Sequence, residues 1–95
     1  MDTHDTKLDH ESYWRGVFSK RPYVQPGASF DDYGPAYRYG VANVRRHEGR
    51  SFDEAEAEMR DEWHARRGTS TLDWGAARHA VRDAWEWVKR DIDHD

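Results

Sequence analysis

The segment from Trp74 to Ile92 repeats apolar residues at the spacing of an α-helix. The repeated positions are Trp74, Ala77, Val81, Ala84, Trp85, Val88 and Ile92. This stripe predicts an amphipathic helix near 71–91, with Ser70 or Thr71 as its N-cap. Alanines at 76, 77, 80 and 84 keep one side of the helix thin, so a second helix can pack closely against it. Such a helix is stable only when other parts of the chain, or a second chain, cover its apolar face.

Two further helices are predicted in the first half of the chain. One lies near 10–20 and ends before Pro22, which cannot continue it. The other lies near 34–47, with Asp32 as its N-cap and Pro35 in its first turn. Gly40 falls in the middle of this second helix, at a cost of about 1 kcal/mol relative to alanine. That cost predicts that a bulky neighbour, such as an indole, approaches the backbone there.

A fourth helix is predicted near 51–67. Ser51 and Glu54 form the sequence pattern of a capping box at its start. Its apolar stripe consists of Phe52, Ala55, Met59 and Trp63. On its polar side, glutamates and arginines have the i,i+4 spacing of stabilising ion pairs, as in Glu56–Arg60 and Glu62–Arg66.

Aromatic side chains must supply most of the core. Mean hydropathy is -1.22 and 36% of the residues are charged, a balance that favours disorder. Against it, 14% of the residues are aromatic, including five tryptophans, and each large ring can bury roughly 150–250 Å². We therefore expect an all-α fold: a small bundle of about four helices with an aromatic (Trp/Tyr) core. A flexible acidic tail is expected at 1–9, a single helical domain at 10–92 and a frayed C-terminus at 93–95.

A partner surface is predicted from residues that the core does not use. Tyr37 is expected to point inward, whereas Tyr39, about 200° further round the helix, is left for a partner, a second subunit or solvent. Trp87 lies off the apolar stripe of the last helix, and an exposed indole there would indicate an interaction site. Together with Ala76 and Ala80, these positions form the predicted surface of a homodimer or of contact with another protein.

No catalytic, cofactor-binding or metal-binding residue is predicted. The chain has no cysteine, and its serines lie at caps and in loops. Asp61 and His64 have the i,i+3 spacing of helical metal sites, but one such pair cannot hold a metal. His79 and Asp83, four residues apart, are expected to pair with each other. The remaining chelating candidates lie in the tail, at His4, Asp5, Asp9 and His10.

Nucleic-acid binding is the alternative function. The net charge of -4 argues against it, but residues 13–50 carry seven basic side chains against three acidic ones, among many aromatic rings. Cations beside stacking rings are typical of proteins that bind single strands. The candidate contacts are Arg15, Arg38, Arg45 and Arg46, which would have to lie on one open face. The favoured interpretation is that the rings form the core and the arginines pair with the acidic helix at 51–67.

Three segments, "YGPAYRYG", "SFDEAEAEMRDEW" and "WGAARHAVRDAWEWV", resemble a group of short bacterial proteins. These share a Y-x-PAYRYG segment, an acidic helix ending in tryptophan and a W…AVRDAW helix, and the resemblance spans residues 13–88. It implies a stress-associated helical module without catalytic residues. The matching positions are expected to form one packing set, consisting of Tyr33, Pro35, Tyr37, Tyr39, Gly40, Trp63, Trp74 and Trp85.

The expected function is therefore a non-enzymatic interaction or protective module, stress-associated and self-associating. No apolar run approaches the ~20 residues that span a bilayer, and no signal-peptide pattern occurs. We accordingly expect a bacterial cytoplasmic protein with no membrane span and no cofactor.

Overall fold

The computed structural model describes residues 10–68 and 70–94, which form four α-helices. Helix α1 spans His10–Val17 and continues as a short 3₁₀ turn, Phe18–Lys20. Helix α2 spans Phe30–Arg46, α3 spans Phe52–Arg66 and α4 spans Trp74–His94. No strand occurs in these residues. The expected all-α bundle of about four helices is confirmed.

The helix boundaries differ from the predicted ones by a few residues. Helix α4 continues to His94, so the predicted frayed end at 93–95 overlaps its last turn. The predicted acidic tail at 1–9 lies outside the described residues. Within the described part of the chain, no helix is both long enough and apolar enough to cross a membrane.

Helix α2 begins earlier than expected, because Ser29 rather than Asp32 is its N-cap. The Ser29 hydroxyl accepts a hydrogen bond from the backbone N–H two residues on, at 3.0 Å. Pro35 therefore lies inside the helix and not in its first turn. The main-chain carbonyl of Asp32 accepts from the Ser70 hydroxyl at 2.7 Å, and its carboxylate accepts from the Thr71 hydroxyl at 3.1 Å. These two bonds tie the loop before α4 to the start of α2.

The capping box of α3 is confirmed, whereas the predicted caps of α4 are wrong. Ser51 Oγ accepts from the Glu54 N–H at 3.1 Å, and the Glu54 carboxylate accepts from the Ser51 N–H at 2.9 Å. At α4, neither Ser70 nor Thr71 caps the helix. Asp73 Oδ1 instead accepts the N–H three residues on, at 3.0 Å.

Helices α2 and α4 pack closely at a glycine. A Cβ atom at Gly40 would overlap the main-chain carbonyl oxygen of Val81 and would lie 3.0 Å from the Ala84 Cβ. Ala77 and Ala80 of α4 are also fully buried. The glycine therefore has the packing reason that its position predicts, but its neighbour is the backbone of a helix and not an indole.

The core between the helices is aromatic, as expected. Eight of the thirteen rings are buried. Trp14 of α1 stacks on Tyr37 of α2, with ring centroids 4.4 Å apart. Trp63 of α3 meets Tyr39 of α2 edge to face at 5.3 Å, and its indole N–H donates to the Leu72 carbonyl at 2.9 Å. Rings from α1 and α3 thus meet those of α2, and the Trp63 indole finds an acceptor, whereas the buried Trp14 indole nitrogen has none among the described residues.

Ion pairs connect α3 to its neighbours. The glutamates of the two i,i+4 pairs predicted within α3 form their hydrogen bonds with arginines of other helices, although the charge of Arg60 also helps to lower the pKa of Glu56. Glu56 accepts from Arg78 of α4 at 2.5 and 3.1 Å, and Arg78 holds the pKa of Glu56 below its usual value. Glu62 accepts a two-pronged bond from Arg46 of α2 at 2.9 and 3.1 Å. Tertiary packing therefore decides the partners of these carboxylates.

Replacing Gly40 with alanine should destabilise the fold. Its Cβ would press on the α4 backbone, and overpacking of this kind costs about 1–3 kcal/mol, which exceeds the gain of about 1 kcal/mol in helix propensity. Chemical unfolding measures the change. The control is Gly75→Ala, whose Cβ would lie 3.6 Å from the nearest atom, an ordinary contact. A Gly40→Ala protein as stable as the Gly75→Ala protein would contradict the close approach of α2 to α4.

Candidate functional site

A stacked pair of aromatic rings lies at the surface between α1 and α4. The centroids of Tyr13 and Trp87 are 5.1 Å apart and their planes differ by 14°. Tyr13 is 44% exposed, the one large apolar side chain classed as exposed in the described residues, and Trp87 is half-buried. The buried Trp14 touches both rings edge on, at 4.9 and 5.8 Å. The pair is therefore held in place by the core beneath it.

Burial of one ring on α1 exposes its neighbour. Trp14 is turned inward by its stack on Tyr37, and consecutive helix residues point about 100° apart. Tyr13 is consequently directed outward, beside Trp87. Gly16, one turn further along α1, is exposed, and a Cβ there would meet no atom of the described part of the chain within 4 Å. We call Tyr13, Gly16 and Trp87 the aromatic face.

Only some of the residues predicted to contact a partner are exposed. Tyr39 is 7% exposed, and its hydroxyl donates to the Met59 carbonyl at 2.9 Å. Ala80 is fully buried in the same chain. Neither residue is available to a partner, because α2 is covered on two sides and α4 packs its alanines against it. Trp87 and Ala76 remain partly accessible, and Trp87 belongs to the aromatic face.

A partly buried polar network fixes the loop between α1 and α2. The Tyr23 hydroxyl donates to Asp83 Oδ2 at 2.6 Å and lies 2.9 Å from the Tyr37 hydroxyl. The Arg21 guanidinium donates to Asp83 Oδ1 at 2.9 Å. His79 does not form the expected bond to Asp83; its ring lies parallel to Tyr23, with centroids 5.8 Å apart. Asp83 thus accepts from both loop residues and anchors the loop to α4.

The chemistry of this network is structural. Burial, reinforced by the hydrogen bond to Asp83, raises the pKa of Tyr23 far above its ordinary value. Burial also raises the pKa of Tyr37 to about 12 and raises that of Tyr39. A phenol that holds its proton so firmly is a poor acid and offers no base near neutral pH. The Tyr23 and Tyr37 hydroxyls bond to each other, and Tyr23 also bonds to the carboxylate, while the Tyr39 hydroxyl bonds to the Met59 carbonyl.

The four candidate nucleic-acid contacts do not act together. Arg15 of α1 lies with its guanidinium 4.5 Å from the centre of the Phe30 ring, at the start of α2. Arg46, at the other end of α2, is held by Glu62. Arg38 and Arg45 lie seven residues apart on the exposed side of α2. The four cations are therefore spread along the length of α2, and Arg46 is paired with Glu62.

A pocket between α2 and the end of α3 contains a cation that the sequence did not single out. Its volume is about 460 Å³, and its lining residues are Pro35, Arg38, Tyr39, Arg66 and Gly68. Arg66 was assigned to an ion pair with Glu62, four residues earlier. Because Glu62 bonds to Arg46 instead, Arg66 is left at the pocket. The bond between Glu62 of α3 and Arg46 of α2 could not be predicted from the spacing of residues within α3.

The histidines give no metal centre in the part of the chain that the structure describes. No three of the potential ligands (His, Cys, Asp, Glu) come together there. The tail candidates at positions 4, 5 and 9 lie outside it. His47 is buried beside Arg50, with a nitrogen–nitrogen distance of 3.2 Å, and its ring faces Trp85. This histidine belongs to the packing at the end of α2.

The residues of the Y-x-PAYRYG resemblance lie close to the core. Tyr33, Pro35, Tyr37, Tyr39, Gly40, Trp63 and Trp85 are buried, and Trp74 is half-buried. No protein-family model, curated protein or solved structure matches the chain. The geometry is therefore the basis for a functional proposal.

Alkaline pH should unfold the protein through its buried phenols. Tyr23, Tyr37 and Tyr39 have raised pKa values when folded, whereas in the unfolded chain they ionise near the ordinary value of about 10. Their contribution to stability is therefore complete below that pH and is lost as the pH rises above it. Phenolate absorbance followed together with circular dichroism should show the ionisation of these three tyrosines in step with loss of helix.

The matched control for this titration is Tyr23→Phe, which removes one phenol from the cooperative step. Ionisation of all five phenols while the helical signal persists would contradict the buried network.

Proposed function

We propose that this protein is a non-enzymatic interaction module that forms a homodimer through the aromatic face. The proposal rests on the exposed ring of Tyr13, which stacks on Trp87. The buried Trp14 supports this pair from below. An aromatic surface held rigid before contact loses little side-chain entropy on association. Tyrosine and tryptophan are also the residues that most often anchor interfaces.

Gly16 supports the same face independently. A glycine inside a helix costs about 1 kcal/mol relative to alanine, and no atom of the described residues lies within 4 Å of the position that its Cβ would take. Packing among the described residues therefore does not account for it. A glycine at the centre of a contact lets a second backbone or ring approach closely, as Gly40 does between α2 and α4.

Charge favours a second copy as the partner. A two-fold interface brings each patch against itself, so like charges at its centre oppose one another. The exposed side of α2 carries Arg38 and Arg45, and that of α3 carries Asp53, Glu58 and Asp61. On α1 and the 3₁₀ turn after it, four exposed positions are uncharged: Ser12, Tyr13, Gly16 and Ser19. Arg15 and Lys20 flank them at its edge.

The cellular setting rests on the resemblance to the Y-x-PAYRYG group. It supports a stress-associated role in a bacterial cytoplasm, in which the dimer binds or protects another protein. The nucleic-acid alternative has less support, because its four cations are dispersed along α2.

An arginine placed in the aromatic face should abolish the dimer. In Gly16→Arg, the new side chain starts in open space, so the fold should persist while two like charges meet at the two-fold axis. Light scattering should report about twice the 11.3 kDa chain mass for the native protein and a monomer for the variant.

The matched control is Ala42→Arg, which places the same residue at an exposed small position of α2 and should remain dimeric. A native protein that stays monomeric at millimolar concentration would contradict the proposal. So would loss of the dimer in both variants.

A further inference from the structure

The carboxylate of Asp83 holds the segment of chain that follows α1. The Arg21 guanidinium forms an ion pair with it, donating to Oδ1 at 2.9 Å, and the Tyr23 hydroxyl donates to Oδ2 at 2.6 Å. Arg21 comes directly after the 3₁₀ turn that continues α1, and its backbone N–H donates to the Phe18 carbonyl at 3.0 Å. The ion pair with Asp83 therefore fixes the C-terminal end of α1 as well as the loop.

Helix α1 depends on such contacts because it is short. It has eight residues, and isolated helices of fewer than about 12–15 residues are marginal in water. Gly16 lowers its helix propensity further. Its place in the fold is set by what it packs against, above all by the stack of Trp14 on Tyr37. The position of the exposed Tyr13 ring is set by the same contacts.

The side of α4 that carries Asp83 also carries one half of the aromatic face. Asp83 and Trp87 are four residues apart and therefore lie on the same side of the helix. The chain runs from Tyr13, stacked on Trp87, to Arg21, paired with Asp83. The segment containing α1 thus contacts α4 through rings at one end and through an ion pair at the other. Without the ion pair, the stack of rings is the contact that must keep this segment on α4.

A second row of contacts leads from Asp83 to the aromatic face through the core. The Tyr23 hydroxyl, which donates to Asp83, lies 2.9 Å from the Tyr37 hydroxyl. The Tyr37 ring in turn carries Trp14 at 4.4 Å, and Trp14 touches Tyr13 edge on at 4.9 Å. Contiguous packed and hydrogen-bonded groups of this kind can couple one site to another.

We propose that Asp83 is a positioning residue for the aromatic face. It holds α1 in the placement that stacks Tyr13 on Trp87, and in this way it sets the strength of the homodimer; this second part rests on the proposed function. Both subunits must have α1 docked for the face to form, so the docked fraction enters the dissociation constant of the dimer twice. A fall of that fraction to about one third in each subunit raises the constant about tenfold.

Sedimentation equilibrium of Asp83→Asn tests the effect on the dimer. Asparagine has nearly the same shape but no charge, so Arg21 loses its ion pair, and the dissociation constant should rise about tenfold. Arg21→Gln should also weaken the dimer. It should add little to Asp83→Asn, because both changes remove the same contact. The matched control is Asp61→Asn, which removes the same charge from an exposed position of α3 and should dimerise like the native protein.

The placement of α1 is measured separately from the dimer by NMR spectroscopy. Gly16→Arg, which should be monomeric, serves as the background. Nuclear Overhauser contacts between the Tyr13 and Trp87 rings, whose centroids are 5.1 Å apart, should weaken to about one third when Asp83→Asn is added. They should keep their intensity when Asp61→Asn is added instead. The rise in the dissociation constant should follow the inverse square of this loss of intensity.

Contacts between the Trp63 and Tyr39 rings, 5.3 Å apart between α3 and α2, report whether the rest of the core is intact. They should persist in every variant. Their loss in Asp83→Asn would assign Asp83 to general stability and contradict a positioning role. Undiminished contacts between Tyr13 and Trp87 in Asp83→Asn would overturn the proposal. If those contacts weaken in a native protein that is itself monomeric, the positioning role is supported and the proposed dimer is contradicted.

Discussion

The close approach of α2 to α4 at Gly40 is the contact on which the rest of the structure depends. Without a side chain at Gly40, the backbone of α4 can lie against that of α2 at Val81, with buried alanines on either side. This approach encloses α2, because α1 covers one of its flanks and α3 another. Residues on opposite sides of α2 are therefore both buried, which is why Tyr37 and Tyr39 enter the core together although they are two positions apart.

An enclosed central helix explains how a chain this polar folds. Aliphatic side chains are few, and the rings of α1, α3 and α4 meet instead on the tyrosines of α2. Several of their hydroxyl and indole groups donate to carbonyls or carboxylates, as in the bonds from Tyr39 to Met59 and from Trp74 to Glu56. A ring used in this way is not available to a ligand. The surface that remains for binding is accordingly small.

The sequence predicts the helices well and their neighbours poorly. The apolar stripe of α4 and the capping box at Ser51 depend on residues that are close in sequence. Both features can therefore be predicted without knowing the tertiary structure. Ser29 and Asp32 are equally suitable caps by residue type, and only the bonds from the distant loop to Asp32 decide between them. The burial of Tyr39 could not be read from spacing, because spacing gives the angle between two side chains and not how many sides of the helix are covered.

The same limit explains why the pocket was missed. The i,i+4 spacing predicts that Glu62 forms an ion pair with Arg66, and the two charges would then cancel on the exposed side of the helix. In the folded chain, a guanidinium from α2 reaches Glu62 with two bonds, a geometry that a flexible pair within one helix seldom matches. Arg50 likewise bonds to Glu58 at 2.9 Å. The carboxylates of α3 are thus used to hold the C-terminal half of α2. At the other end of the same helix pair, Arg66 lies at the pocket beside Pro35 and Tyr39, a position that spacing within α3 does not give.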